Sequence, residues 1–90
     1  MITYGFTIGG SMSPALGWFN IIKVSKRPEY KVGDIVSLKT HDKVFHCHRI
    51  TAIDSEYVST KGDNLEQKEY EIKVPRKNIE GAIDLILKVF

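Results

Sequence analysis

Apolar residues fall in brief runs of period two, rich in β-branched and aromatic side chains and separated by Gly, Pro, Asn and Asp. That pattern reads as strands rather than helices. It predicts strands over Ile2–Ile8, Asn20–Val24, Ile35–Lys39, Val44–Ile53, Tyr57–Lys61, Tyr70–Val74 and Ile79–Val89. So many short strands in 90 residues predict an all-β, mainly antiparallel fold, either a small coiled sheet or a partly open barrel. One short helical turn is expected over Ser11–Leu16, where Ser11 caps, Pro14 suits the first turn and Gly17 stops it. Ser25–Val32, with Lys26, Arg27 and Pro28, reads as a solvated connection. Gly62-Asp63-Asn64 reads as a tight turn in which Gly62 permits positive φ.

Composition narrows the classes. Ninety residues and 10.2 kDa make one domain, 1–90, and 42% hydrophobic residues against 27% charged give a thin core and exclude wholesale disorder. Thirteen basic against eleven acidic residues leave +2, with the signs interspersed, so no nucleic-acid partner is expected. Lys23, Lys26 and Arg27 near Trp18 and Phe19 are the one feature that favours such a partner. Cys47 is the sole cysteine, which excludes an internal disulfide and a zinc knuckle. No run approaches the ~18 apolar residues of a membrane helix, and no charged segment precedes an apolar one as in a signal peptide, so the chain as written is expected to be soluble.

In the Val44–Ile53 strand, alternation places Val44, His46, His48 and Ile50 on one face and Phe45, Cys47, Arg49 and Thr51 on the other. Two imidazoles on one face suggest a metal, but a third ligand would have to come from elsewhere and His41 is the only other histidine; no metal or other cofactor is expected. Nucleophilic chemistry has better material. Ser11 follows Gly9 and Gly10, which let a peptide backbone approach, and the amides of Gly10, Ser11 and Met12 can face a developing oxyanion. A serine hydroxyl needs a base, and neutral His48 can take its proton near pH 7 and return it to the leaving amine. Asp63, after the next strand, can orient and balance the imidazolium. Each residue also has a structural reading: Ser11 as a cap, His48 as a satisfied strand histidine, Asp63 as a turn residue, and Arg49 as a scaffold partner for a carboxylate.

Gly10-Ser11-Met12-Ser13-Pro14-Ala15-Leu16, Val32-Gly33-Asp34-Ile35-Val36, His48-Arg49-Ile50 and Thr60-Lys61-Gly62-Asp63-Asn64 together resemble, in order and spacing, type I signal peptidases. The branch most similar is the archaeal and endoplasmic-reticulum one, in which His stands where bacterial enzymes have a catalytic Lys. The resemblance runs from about Gly9 to Gly81 and implies the catalytic-core fold of that family, with Ser11 as nucleophile and His48 as general base. It implies a serine endopeptidase that cleaves an extended peptide of a precursor protein, with small residues at the cleavage position and two before it.

The departures from the family pattern are specific. In the eukaryotic branch a further acid follows the Gly-Asp-Asn, and six residues beyond Asp63 stands Glu69, with Glu66 the other candidate. The third catalytic member is then Asp63, Glu66 or Glu69, or is absent. The bacterial oxyanion Ser is Gly9 here, and the Gly-Asp that often follows the Ser segment is Phe19-Asn20. The family carries a membrane helix just before the nucleophile, where this sequence has ten residues. Either an apolar rim of Trp18, Phe19 and Phe90 or a separate membrane-anchored partner would take its place. The alternative function is a catalytically inactive peptide-binding module of the same fold. The self-cleaving repressor class shares the Ser-Met-x-Pro element but uses a Lys base and needs upstream domains.

Overall fold

Alternation and turn chemistry build one antiparallel sheet. The computed structural model describes residues 2–10, 12–39, 45–64 and 71–88. Its strands are β1 (Ile2–Ile8), β2 (Phe19–Ser25), β3 (Ile35–Lys39), β4 (Phe45–Ile53), β5 (Tyr57–Lys61), β6 (Ile72–Pro75) and β7 (Ile79–Lys88). All seven lie in a single unclosed sheet of order β1-β2-β7-β3-β4-β5-β6, so the all-β expectation holds and the sheet ends in two edges, β1 and β6. Expected strand positions Val44, Tyr70 and Val89 lie outside the described residues. β6 ends at Pro75, opposite Tyr57, because proline has no N–H with which to extend a ladder. A three-residue 3-10 helix, Arg76–Asn78, then leads into β7.

Antiparallel pairing puts directly opposed residues on one face. Val36 faces His48, and Ile50 faces Thr60. On that face Val36, Leu38, Ile50, Val58 and Ile79 form the buried core, with Tyr30, Ile53 and Val74 packed against it. Thr51 is an extra residue in β4, since Ile50 pairs with Thr60 but Ala52 pairs with Ser59. This bulge reverses the alternation, so Ile53 rather than Ala52 reaches the core.

The opposite face of β2 and β7 carries the buried Asn20, Ile22 and Ile83, and Asn20 meets the segment 12–17 through Gly17. There the expected helical turn is one hydrogen-bonded turn, Leu16 N–H to Met12 carbonyl at 2.9 Å, and the Ser13–Pro14 peptide is cis. Asn20 ends it. Its Oδ1 accepts from Gly17 N–H at 2.8 Å, and its Nδ2 donates to Gly17 O at 2.8 Å and to Thr7 Oγ1 at 3.0 Å. A fully buried amide so satisfied fixes the chain just past the Ser segment to both β1 and β2. Met12 and Leu16 are buried, as packing residues should be.

Candidate functional site

Four segments remote in sequence meet through hydrogen bonds. At the Gly33-Asp34 turn, Asp34 N–H donates to Lys31 O at 3.0 Å and Lys31 N–H donates to Asp34 Oδ2 at 2.9 Å. Gly33 sits at φ 99°, which a residue with Cβ rarely adopts. β4 docks on this turn: Gly33 N–H donates to Ile50 O and Ile50 N–H to Asp34 O, each at 2.9 Å. Arg49 then joins turn to loop. Its Nη1 donates to Gly33 O at 2.7 Å, its Nε to Asp63 Oδ1 at 2.9 Å, and its Nη2 to Asp63 Oδ2 at 2.7 Å. The fork matches the carboxylate in two parallel bonds, and that hydrogen bonding raises the Arg49 guanidinium above its ordinary pKa.

Next to Asp63, Asn64 Nδ2 donates to Gly10 O at 2.7 Å, across 54 positions of sequence. Gly10 is buried under the Trp18 indole: a Cβ built there would lie 2.5 Å from Trp18 Cζ2. The same carbonyl accepts Ser13 N–H at 3.1 Å, and Gly9, at φ 118°, donates its N–H to Trp18 O at 2.9 Å. The backbone on the N-terminal side of Ser11 is thereby tied to the β5–β6 loop and to the start of β2. Ser11 itself lies outside the described residues, as do Glu66, Glu69, His41 and Phe90.

His48 is held in the middle of β4, 4% exposed, opposite Val36. Its Nδ1 lies 3.4 Å from Thr60 Oγ1, a diagonal neighbour across β4 and β5. Asp63, the sequence candidate for orienting that imidazole, has both carboxylate oxygens on Arg49. Alternation placed Arg49 on the face opposite His48, and the scaffold reading of Arg49 is the one the geometry fits. Cys47, on Arg49's face, has its thiol pushed up to about 11 by burial and stays protonated at neutral pH.

Thr60 and Asn64 have no assigned role in the sequence reading. Thr60 is detectable in retrospect as a polar residue at an inward position of a β-branched strand, where burial demands a partner. Nothing in the sequence marks Asn64 as the tie to Gly10. Among the described residues no group of three or more His, Cys, Asp or Glu side chains gathers to hold a metal, and no helix is long and apolar enough to cross a membrane.

No family model, curated protein or solved structure matches this chain.

Proposed function

We propose that this chain is a serine endopeptidase of the signal-peptidase-like type, with Ser11 as nucleophile and His48 as general base. The observation that carries the reading is the meeting of the four segments. Arg49 links Gly33 to Asp63, Ile50 pairs with Gly33 and Asp34, and Asn64 holds Gly10, the neighbour of Ser11. In the tautomer that donates Nδ1–H toward Thr60, the lone pair resides on Nε2, the atom that would take the proton from Ser11 Oγ. Ser11 Oγ attacks the scissile carbonyl, and the amides of Gly10, Ser11 and Met12 receive the oxyanion. The tetrahedral intermediate collapses as the imidazolium returns its proton to the leaving amine. A water deprotonated by His48 then attacks the ester and releases the acid. Asp63 supports this indirectly, through Arg49; Glu69 and Glu66 are the remaining acidic candidates. No cofactor enters the chemistry. The substrate is an extended peptide of a precursor protein, added as a strand beside the site.

The test is covalent labelling with an acylating electrophile followed by peptide mass mapping. The expected adduct falls on Ser11 and is lost in both Ser11→Ala and His48→Ala, with both variants folded. An unlabelled Ser11 in the folded wild-type protein, or labelling indifferent to His48→Ala, refutes the mechanism.

A further inference from the structure

The two edges of the sheet differ in how they are protected. β6 is four residues long, carries Lys73 and ends in Pro75. Charge, proline and shortness are the usual devices that stop an edge from pairing with another chain. β1 has none of them: seven residues, no charge, no proline, and an unbroken register against β2 from Ile2↔Ser25 to Ile8↔Phe19.

β1 also has a symmetry that bears on what pairs with it. Its sequence, Ile2-Thr3-Tyr4-Gly5-Phe6-Thr7-Ile8, reads the same in chemical type in both directions about Gly5. We infer that the free edge of β1 pairs antiparallel with β1 of a second copy, on a two-fold axis through Gly5, giving a continuous sheet through a homodimer. In that register Tyr4 opposes Phe6 of the second copy, Thr3 opposes Thr7, Ile2 opposes Ile8, and Gly5 opposes Gly5.

The backbone supports the same register. Gly9 N–H bonds to Trp18 O, which fixes the alternation along β1: residues 3, 5 and 7 point their peptide groups at β2. Residues 2, 4, 6 and 8 therefore present theirs to the free edge. The two-fold through Gly5 matches even residues with even residues, so each outward peptide group finds a partner. It makes Gly5–Gly5 a pair without hydrogen bonds, where backbones come to about 4.5 Å. A Cβ built on Gly5 meets nothing within 4 Å in the single chain, so its own fold does not call for glycine there.

Burial and charge point the same way. Tyr4 is 68% and Phe6 66% exposed, although aromatic side chains bear ~150–250 Å² each and bring most of their energy by burial. With Ile2 and the outward peptide groups, the pairing covers on the order of 500 Å² over both copies, below a standard specific interface and in the range of a weak, transient one. An isologous contact sets like against like, so a charged edge would repel itself, and β1 carries no charge. The expected dimer is weak, with a dissociation constant on the order of 10–100 µM. The inference does not depend on the proposed activity.

The register can be tested by exchanging charges. Wild type should move in sedimentation velocity from monomer toward twice the 10.2 kDa mass between about 5 and 500 µM. Tyr4→Lys and Phe6→Glu, both at exposed positions, should each weaken self-association at least tenfold, roughly the cost of one unpaired desolvated charge per pair. An equimolar mixture should associate again, because the new ammonium of one copy faces the new carboxylate of the other while Phe6 faces Tyr4. Recovery in the mixture also shows that both variants fold. In the wild type, the Tyr4 and Phe6 amides should gain hydrogen-exchange protection with concentration, while those of Thr3 and Thr7 are protected throughout. A monomer at all concentrations, or a mixture no better than its components, overturns the inference. A wild type whose β1 edge amides shift only on addition of a peptide assigns the edge to a peptide instead, and overturns it equally.

Discussion

Breaking the Arg49–Asp63 pair should unfasten the loop that holds Gly10, and the structure sets the scale of the loss. The guanidinium is 35% and the carboxylate 21% exposed, so water screens the pair without replacing it. Asp63→Asn keeps the shape and removes the charge that receives both bonds. Arg49, a third exposed, can rehydrate, which places the cost at about 1–2 kcal/mol, above an open surface pair and below a buried one. Arg49→Met also strips Gly33 O of its donor and leaves the more enclosed carboxylate unpaired, so about 2–3 kcal/mol is expected. The double variant should cost less than the sum of the two, with a coupling of about 1 kcal/mol. Urea unfolding reads this directly, since at about 1 kcal/mol/M for a chain this size Asp63→Asn should lower the midpoint by 1–2 M. Strictly additive single changes would refute the claim that this pair joins the two loops. Activity adds a second discrimination. If Asp63 works through Arg49, both substitutions should depress cleavage together; if it orients His48, Asp63→Asn alone should do so.

Thr60→Val, which leaves His48 Nδ1 without its hydroxyl neighbour, should lower kcat and shift the acid limb of the pH profile, and Thr60→Ser should restore both; equal behaviour of Val and Ser would remove Thr60 from the positioning of the base. Asp54 accepts N–H bonds from Glu56 and Tyr57 at 2.9 and 2.7 Å, and these hold its carboxyl below the ordinary range. A depressed folded-state pKa stabilises above the unfolded value of about 3.9 and ceases to as pH falls through the folded one. The stability gap between wild type and Asp54→Ala should therefore be full at neutral pH and narrow under strong acid, and a gap that widened on acidification would contradict the sign. Gly10→Ala must push the Trp18 ring off Gly10, so near-UV dichroism of Trp18 should change and stability fall by about 1–2 kcal/mol; an unchanged spectrum would place Trp18 elsewhere.

The strands were legible because β-branched and aromatic residues at period two leave few other readings, and β1, β3 and β5 lie where that pattern puts them. The phase of the strands was only partly legible. Thr51 in β4 and the extra residues Glu80 and Ile86 in β7 shift the register; Gly81 stands beside Glu80, but no glycine or proline adjoins Thr51 or Ile86. Nor does local pattern reveal that β7, last in sequence, runs between β2 and β3, since that is decided by long-range pairing. Turn composition permits positive φ at Gly62, and the described glycines that adopt it are Gly9 and Gly33. Asn20 reads as a turn former at a strand start, whereas its buried amide satisfies three groups from two other segments. Asp63 has the same lesson for the site. A carboxylate one strand away from both His48 and Arg49 could serve either, and the choice follows from the face each side chain takes.

Most residues of the four segments act on the backbone rather than on a reacting atom. Gly33 and Asp34 are an anchoring turn, Arg49 and Asp63 a clamp, Asn64 a tie to Gly10, and Met12 a buried packing residue. Substituting any of them should therefore lower stability and function together, and such losses cannot identify the chemistry. Ser11 and His48 are the two residues to which the proposed mechanism gives bond-making roles, so their signature must differ in kind. Ser11→Ala removes one hydroxyl and should abolish turnover while the urea midpoint stays within about 0.5 M of wild type, the scatter of a substitution without structural consequence. A Ser11→Ala midpoint displaced as far as that of Asp63→Asn would make Ser11 another fastening of the loop. Intact cleavage by Ser11→Ala would remove it from the chemistry altogether. His48→Ala should show the same loss of turnover, and combining it with Ser11→Ala should cost little more, because nucleophile and base serve one proton transfer.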